Sequence, residues 1–514
     1  MNTVLQTEAV VKTRQGELRG RHADGVFTFL GIPYGAPPTG ARRLRPPQPV
    51  EPWNGVRDAL GYGAAPPQLL PDPETRKFVP DPSEPGEDCL NLNLWSPALG
   101  AAGLPVMVWI PGGMFEAGSG ASYDGSRFAR DGVICVTINY RVGADGFLHL
   151  GDGIANCGLL DQVAALEWVR ENIAAFGGDP ANVTVFGESA GAMSIGTLLS
   201  MPRAEGLFRR AICESGAAHL VMSAATALRM SRRLAEKLGV EAKRDALAAV
   251  PVERFLAVQA ELKAELLAHP DPQRWGLEVV RSLLPWHPVV DGNVVPSLPL
   301  ARILAGAGAK VDVLIGSNTE DWKLFRVLDG GLDRVNDAIL TGPVDIHGYL
   351  ALETYGLRAR TAIAVYRTLH PGASPGEVLA AVQTDWWCRM PAIRLADAHV
   401  RSAGPAAATY MYEFAWPSPV FGGRLGACHG LEIPFVFDTL DRGAEQIVGP
   451  LLGPSPPQQL ARTMHAAWIA FARSANPGWP RYDLERRATM RFDTVSKVVY
   501  DPRPAEQELW KGIL

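Results

Sequence analysis

Three short runs of the chain are apolar or β-branched at nearly every position: Pro105-Val-Met-Val-Trp-Ile110, Val133-Ile-Cys-Val-Thr-Ile138 and Val183-Thr-Val-Phe186. Continuous runs of this kind suit strands of a parallel sheet buried on both faces. Between the second and third, residues 159–176 carry Val163, Leu166, Val169 and Ile173 at helical spacing. This strand–helix–strand rhythm predicts the α/β class. Further strands are expected at 209–213, 311–315 and 408–413. The first hundred or so residues read as short strands and turns, with proline-rich loops at 35–40 and 65–85. Two helical excursions, near 224–278 and 333–399, are too long for simple crossovers. They are expected to form a cap beside the carboxyl edge of the sheet, where open α/β sheets bind ligands. Neither a repeat nor a linker divides the chain, so residues 1–514 are read as one elaborated domain.

Composition narrows the function classes. The chain has 514 residues, 47% hydrophobic and 20% charged, with a formal net charge of -5. That balance steers it to neither nucleic acid nor an anionic membrane. The first eight residues carry neither a basic stretch nor an apolar core, and no run is long enough to span a bilayer. A cytoplasmic protein is the expectation. The six cysteines, Cys89, Cys135, Cys157, Cys213, Cys388 and Cys428, form no C-x-x-C pair and read as reduced structural thiols. Cys428 precedes His429, but adjacent side chains in an extended segment point apart.

The chemistry starts at Gly187-Glu188-Ser189-Ala190-Gly191. A serine stands in a G-x-S-x-G frame between a β-branched run and small residues able to start a helix. A strand that turns sharply into a helix there would expose the serine on a strained backbone. Side chains at Gly187 and Gly191 would collide with the neighbouring strand and helix.

A serine hydroxyl needs a base, and a histidine base needs an acid behind it. In α/β-hydrolases these follow the serine in the order acid, then histidine. The turn after Leu314-Ile315 offers Glu320 and Asp321 together. Gly426-Ala-Cys-His429-Gly430 offers a glycine-bracketed loop histidine; His465 lies in a helical pattern and His287 precedes proline. Before the serine, Ile110-Pro-Gly112-Gly113-Met114-Phe115 follows a strand and can aim backbone N–H groups at an oxyanion, joined by Ala190. The glycines at 112–120 lack the G-K-[ST] of a phosphate loop. Glu188 has an electrostatic role available beside the serine. Met114, Phe115, Phe325, Trp386 and Trp387 are candidate pocket walls.

Together these segments resemble the type-B carboxylesterase/lipase family of α/β-hydrolases, and its bacterial para-nitrobenzyl-esterase-like branch. Gly31-Ile-Pro-Tyr-Gly-Ala-Pro-Pro38, Glu87-Asp-Cys-Leu-Asn-Leu-Asn93, Asn139-Tyr-Arg-Val-Gly143, Gly158-Leu-Leu-Asp-Gln162 and Phe176-Gly-Gly-Asp-Pro180 are similar to family blocks, in order, over nearly the whole chain. The resemblance implies an α/β-hydrolase fold: a large, mostly parallel sheet flanked by helices with helical cap insertions. It implies a serine carboxylesterase acting through an acyl-enzyme on a small-molecule ester, without metal or organic cofactor. Ser189 would be nucleophile, His429 base and Asp321 acid, with Gly113, Met114 and Ala190 as oxyanion donors.

Two departures stand out. Pro111-Gly-Gly-Met114 replaces H-G-G-G or H-G-G-A, which puts a side chain at the edge of the acyl pocket. Cys89 matches a disulfide cysteine of secreted members, yet no cysteine precedes it. Residues 68–86 also lack a tryptophan to match the choline-binding one of cholinesterases. Amide or carbamate cleavage on the same triad is the alternative activity, and a non-catalytic binding module is a remote one. Oligomeric state is not legible. A histidine base of ordinary pKa would set the acid limb of activity near roughly 6.5.

Overall fold

The computed structural model describes residues 7–69, 76–78, 80–100, 103–342 and 350–513. Parts of the proline-rich loop at 65–85, of the second excursion at 333–399 and of the amino-terminal eight residues therefore lie outside the described residues.

Fifteen strands are present among these residues. The amino-terminal set is β1 (Thr7–Lys12), β2 (Glu17–Ala23), β3 (Val26–Pro33), β4 (Val56–Asp58) and β5 (Asn91–Ser96). The central set is β6 (Leu104–Ile110), β7 (Ile134–Ile138), β8 (Gly178–Glu188) and β9 (Arg210–Glu214). A two-residue pair, β10 (Met222–Ser223) and β11 (Val289–Val290), stands apart. The remainder are β12 (Asp312–Asn318), β13 (Thr409–Phe414), β14 (Ala488–Phe492) and β15 (Lys497–Tyr500). Thirteen of them form one sheet in the order β1-β2-β3-β5-β7-β6-β8-β9-β12-β13-β14-β15, with β4 on β2. Every neighbouring pair from β7 to β14 is parallel, and the pairs at both ends of that path are antiparallel. This is the α/β-hydrolase architecture.

The continuous apolar runs are explained by what they face. In β6, Val106, Val108 and Ile110 feed one core, whereas Met107 and Trp109 feed the other. β9 and β12 divide the same way, with Ile212 and Leu314 on the second face. Alternate side chains point to opposite faces, so a strand covered on both sides needs apolar residues throughout. Expected and observed strand limits agree within a few residues. The last two strands at that end of the sheet, β14 and β15, were not expected, because their exposed faces mix Arg491 and Lys497 into the pattern.

The first excursion contains α1 (Ala224–Leu238) and α2 (Val252–Ala268) among shorter helices. Ser223 caps α1 through its hydroxyl, which accepts from Thr226 N. The second contains α3 (Ala359–Leu369), α4 (Pro375–Thr384) and α5 (Met390–Ala403). Ser374 and Glu377 close a capping box on α4. Between α4 and α5 the chain passes through a π-helical turn, Asp385–Arg389. Among the described residues no helix is long and apolar enough to cross a membrane.

The topology places two loops side by side. The chain leaves β6, forms β7 on one flank, and returns to form β8 on the other. This reversal creates a crevice at the carboxyl ends. Ile110 pairs with Gly187, so the loop after β6 and the turn after β8 emerge together. A Cβ on Gly187 would lie 2.6 Å from the Ile110 carbonyl oxygen, and one on Gly191 would collide with that same oxygen. Replacing Gly191 with alanine is expected to lower stability by about 2–3 kcal/mol. The solvent-facing Gly61, where an added Cβ meets nothing within 4 Å, should tolerate alanine within about 0.5 kcal/mol. Urea unfolding midpoints of the two variants check this; equal midpoints would refute the packing argument.

Candidate active site

Ser189 sits at the turn from β8 into the helix Ala190–Leu198 with φ 55° and ψ -123°. Few non-glycine residues adopt this conformation, and it costs of order 1–3 kcal/mol. Backbone contacts hold it: Ser189 N donates to Glu214 O at 2.8 Å, and Ser189 O accepts from Met193 N at 2.9 Å. Ala190 opens the helix, so its N–H has no acceptor within that helix. The loop after β6 packs directly against the turn. A Cβ on Gly112 would lie 2.9 Å from Glu188 O and 3.2 Å from Ser189 Cβ. Gly113 has φ 118°, and Met114 and Phe115 follow with φ 58° and 59°. The carbonyls of this loop are tied down: Tyr140 Oη donates to Pro111 O at 2.9 Å, and Glu116 N and Ala117 N donate to Gly113 O at 3.0 Å.

His429 reaches the same place from the loop after β13. Its Nδ1 is 2.8 Å from Asp321 Oδ1, and its backbone N donates to Asp321 O at 3.1 Å. Asn318 N donates to the other carboxylate oxygen of Asp321 at 3.0 Å. Glu320, its neighbour, points elsewhere. It accepts from Ala427 N at 2.9 Å and pairs with Lys323 at 2.9 Å, so it clamps the histidine loop rather than touching the ring. A side chain on Gly426 (φ 59°) would overlap that carboxylate.

The other ring nitrogen of His429, Nε2, lies 3.0 Å from Glu188 Oε1. The imidazole thus bridges two buried carboxylates. Burial pushes the Glu188 carboxyl up to about 7; the Asp321 charge adds to this and His429 opposes it. Burial alone would lower His429, but Glu188 and Asp321 outweigh it and the imidazole rises to about 9. The ordinary value expected from sequence is corrected upward, because the Glu188 and Asp321 carboxylates both face the ring.

Two further acids crowd this region that the sequence analysis did not single out. Glu214, opposite Glu188 in the β8–β9 register, accepts from Trp468 Nε1 at 2.8 Å. Burial pushes it up to about 8, Trp468 opposing and Glu188 adding. Glu432 accepts from the Asn318 side chain. Burial and the charges of Glu188, Glu214 and Asp321 hold it well above the usual carboxylate range. Glu432 had a sequence signal: a lone carboxylate inside the apolar run Leu431-Glu-Ile-Pro-Phe-Val-Phe437.

Ser189, Glu188 and His429 line a cavity of about 660 Å³ whose walls include Leu256, Ala260, Ala264 and Leu267 of α2, with Trp286 and Phe325. Lys263 of α2 pairs with Glu116 at 2.9 Å across this cavity's lining. A second, small cavity of about 10 Å³ touches Ser189 from the other side, against Met114, Leu220, Leu284, Trp322, Trp387 and Cys388. Both excursions thus reach the site, as expected of a cap. Met114 and Phe325 line both cavities. Trp387 lines the smaller one and stacks on Trp322 at 4.6 Å, whereas Trp386 packs behind it against His219 and Tyr355. Phe115 is a correction: expected in the pocket wall, it is fully buried against Phe147 at 5.2 Å and borders neither cavity. Its left-handed backbone turns the ring back into the core. All six cysteines are buried and unbridged.

With this geometry in view, the comparisons with known proteins decide the family. The carboxylesterase family profile matches residues 7–510. The chain belongs to the carboxylesterase family. It is 37% identical to the para-nitrobenzyl esterase of Bacillus subtilis (strain 168), over 98% of each chain. It is 34% identical to a phenmedipham hydrolase of Pseudarthrobacter oxydans, over 94% of this chain and 95% of that one. The solved carboxylesterase EST55 of Geobacillus stearothermophilus superposes with a TM-score of 0.81 at 37% identity, covering 98% of this chain and all of that one. This carboxylesterase-family chain is a carboxylic ester hydrolase on the α/β-hydrolase fold.

The electrostatics of the histidine are directly measurable. The His429 ring should titrate near 9 in the free protein. Glu188→Gln removes the charge that does most to raise it, so the titration should move to lower pH. Ring-proton or ¹⁵N NMR of His429 reads both values; an unchanged midpoint in Glu188→Gln would rule out the bridge.

Proposed function

We propose that Ser189 is the nucleophile of an acyl-enzyme esterase, His429 its base and Asp321 the acid behind the base, with Gly113, Met114 and Ala190 donating N–H groups to the oxyanion. The observation that carries this reading is the imidazole hydrogen-bonded to Asp321 at 2.8 Å in a cavity it shares with a serine held at a strained turn. Asp321 accepts from Nδ1–H and so leaves Nε2 as the proton acceptor. Ser189 attacks the ester carbonyl while Nε2 takes its proton. The negative charge that develops on the carbonyl oxygen is met by donors at the helix start and in the glycine loop. His429 then protonates the leaving alcohol, and water repeats the sequence to release the acid.

Glu188 adds a second carboxylate beside the ring. Its Oε1 lies 3.0 Å from Nε2 but makes no hydrogen bond to it, so Nε2 keeps its hydrogen-bonding direction for the serine hydroxyl. Once the ring has taken the serine proton, the Glu188 charge stabilises the imidazolium.

On this reading the larger cavity takes the alcohol side and the smaller, with room for about one water at most, takes the acyl side, so short acyl chains are the preferred class. Six buried, unbridged cysteines fit a reducing compartment, and the cytoplasm is the location proposed.

Ser189→Ala should lower kcat/KM for p-nitrophenyl acetate by roughly 10⁴–10⁶-fold with circular dichroism unchanged. Turnover near the parent rate would remove Ser189 from the mechanism. Asp321→Asn should cost about 10⁴-fold and Glu320→Gln far less; the reverse ranking would move the acid to Glu320. Met114→Gly should open the acyl side. The preference for p-nitrophenyl acetate over the hexanoate should shrink by about tenfold or more, and an unaltered ratio would show that Met114 does not set it.

A further inference from the structure

Cys388 belongs to no step of the proposed reaction, yet it stands at its centre. One ligand-capable atom each from Asp321, Cys388 and His429 lie within 4.8 Å of one another, and all three residues are buried. The π-helical turn puts the thiol there. Its wider winding brings the consecutive residues Trp387 and Cys388 to the same cavity wall. Cys428, the sequence neighbour of His429, is not part of the group.

We propose that Asp321, Cys388 and His429 form an inhibitory binding site for a thiophilic divalent cation of the zinc class. Carboxylate, thiolate and imidazole are the three donor types that such ions take, and three protein ligands leave a fourth position for water. Tetrahedral coordination at usual bond lengths sets the donor atoms about 3.3–3.8 Å apart. The present spread runs from 2.8 Å between Asp321 and His429 to a 4.8 Å limit for the group. Shifts of about 1 Å or less close the site. The small cavity beside Ser189 is bordered by Cys388 and His429, so two of the three donors face open space. Binding forms a metal–sulfur and a metal–nitrogen bond and releases the thiol proton and the ring Nδ1 proton to solvent. The Asp321–His429 hydrogen bond is lost, so ester hydrolysis stops. This inhibition rests on the triad reading above; the binding itself does not.

The test titrates Co²⁺, and in parallel Zn²⁺, into the purified full-length protein. One equivalent of Co²⁺ should give a near-ultraviolet thiolate-to-metal charge-transfer band. The rate on p-nitrophenyl acetate should fall in step, and EDTA should restore both. Cys388→Ala and Cys388→Ser should lose the band. Their inhibition constants, each taken against the variant's own metal-free rate, should rise by about tenfold or more. Cys428→Ala and Ser189→Ala should keep the band. A missing band in the parent protein, or a band and inhibition undiminished in both Cys388 variants, overturns the site. Full esterase activity in Ser189→Ala would instead overturn the triad reading, with the band unaffected.

Discussion

The active region depends on one close approach between two stretches of backbone. The carbonyl of Ile110, at the end of β6, fits against Gly187 and Gly191 with no room for a side chain on either. That contact seats the helix after Ser189 on the neighbouring strand. It forces the serine backbone into its strained conformation and holds the Pro111–Phe115 loop beside it. A larger residue at either glycine would separate the strand ends, and with them the two groups of N–H donors. Strain at Ser189 persists because the surrounding sheet over-determines it.

Electrostatics form the second layer. Asp321, Glu188, Glu214 and Glu432 lie in one poorly solvated region, with the His429 ring between the first two. Four full negative charges cannot share such a space, so burial shifts Glu214 and Glu432 toward their neutral forms. The imidazole between Glu188 and Asp321 is drawn the other way: the two carboxylates raise its pKa although burial alone would lower it. The same crowding separates the two adjacent acids of the turn. Glu320 finds a lysine and a backbone N–H outside the cluster, while Asp321, one residue on, faces the ring.

Much of the fold was legible along the chain. Parallel strands in the middle of a sheet have both faces covered, and they announce themselves as continuous apolar runs. The serine turn was legible because its glycines answer a local steric demand. The last two strands, β14 and β15, were not, since a half-exposed strand tolerates polar residues and loses that signal. Met114, Phe325 and Trp387 of the small cavity's wall were legible as candidates, but Cys388 was not: it joins Trp387 there through the π-helical winding of Asp385–Arg389. Phe115 misled for a related reason: a left-handed residue in the loop reverses the direction its neighbours suggest.

The sequence by itself determined the class and the place of the strained serine turn, because these follow from local periodicity and short steric motifs. Only the tertiary structure decided which carboxylate meets the histidine, that Glu188 lies beside the opposite ring nitrogen, and which aromatic side chains border the two cavities. Those outcomes turn on distances of a few ångströms between segments more than a hundred residues apart. Linear spacing carries no information on such distances; the packing of both cores against the sheet sets them.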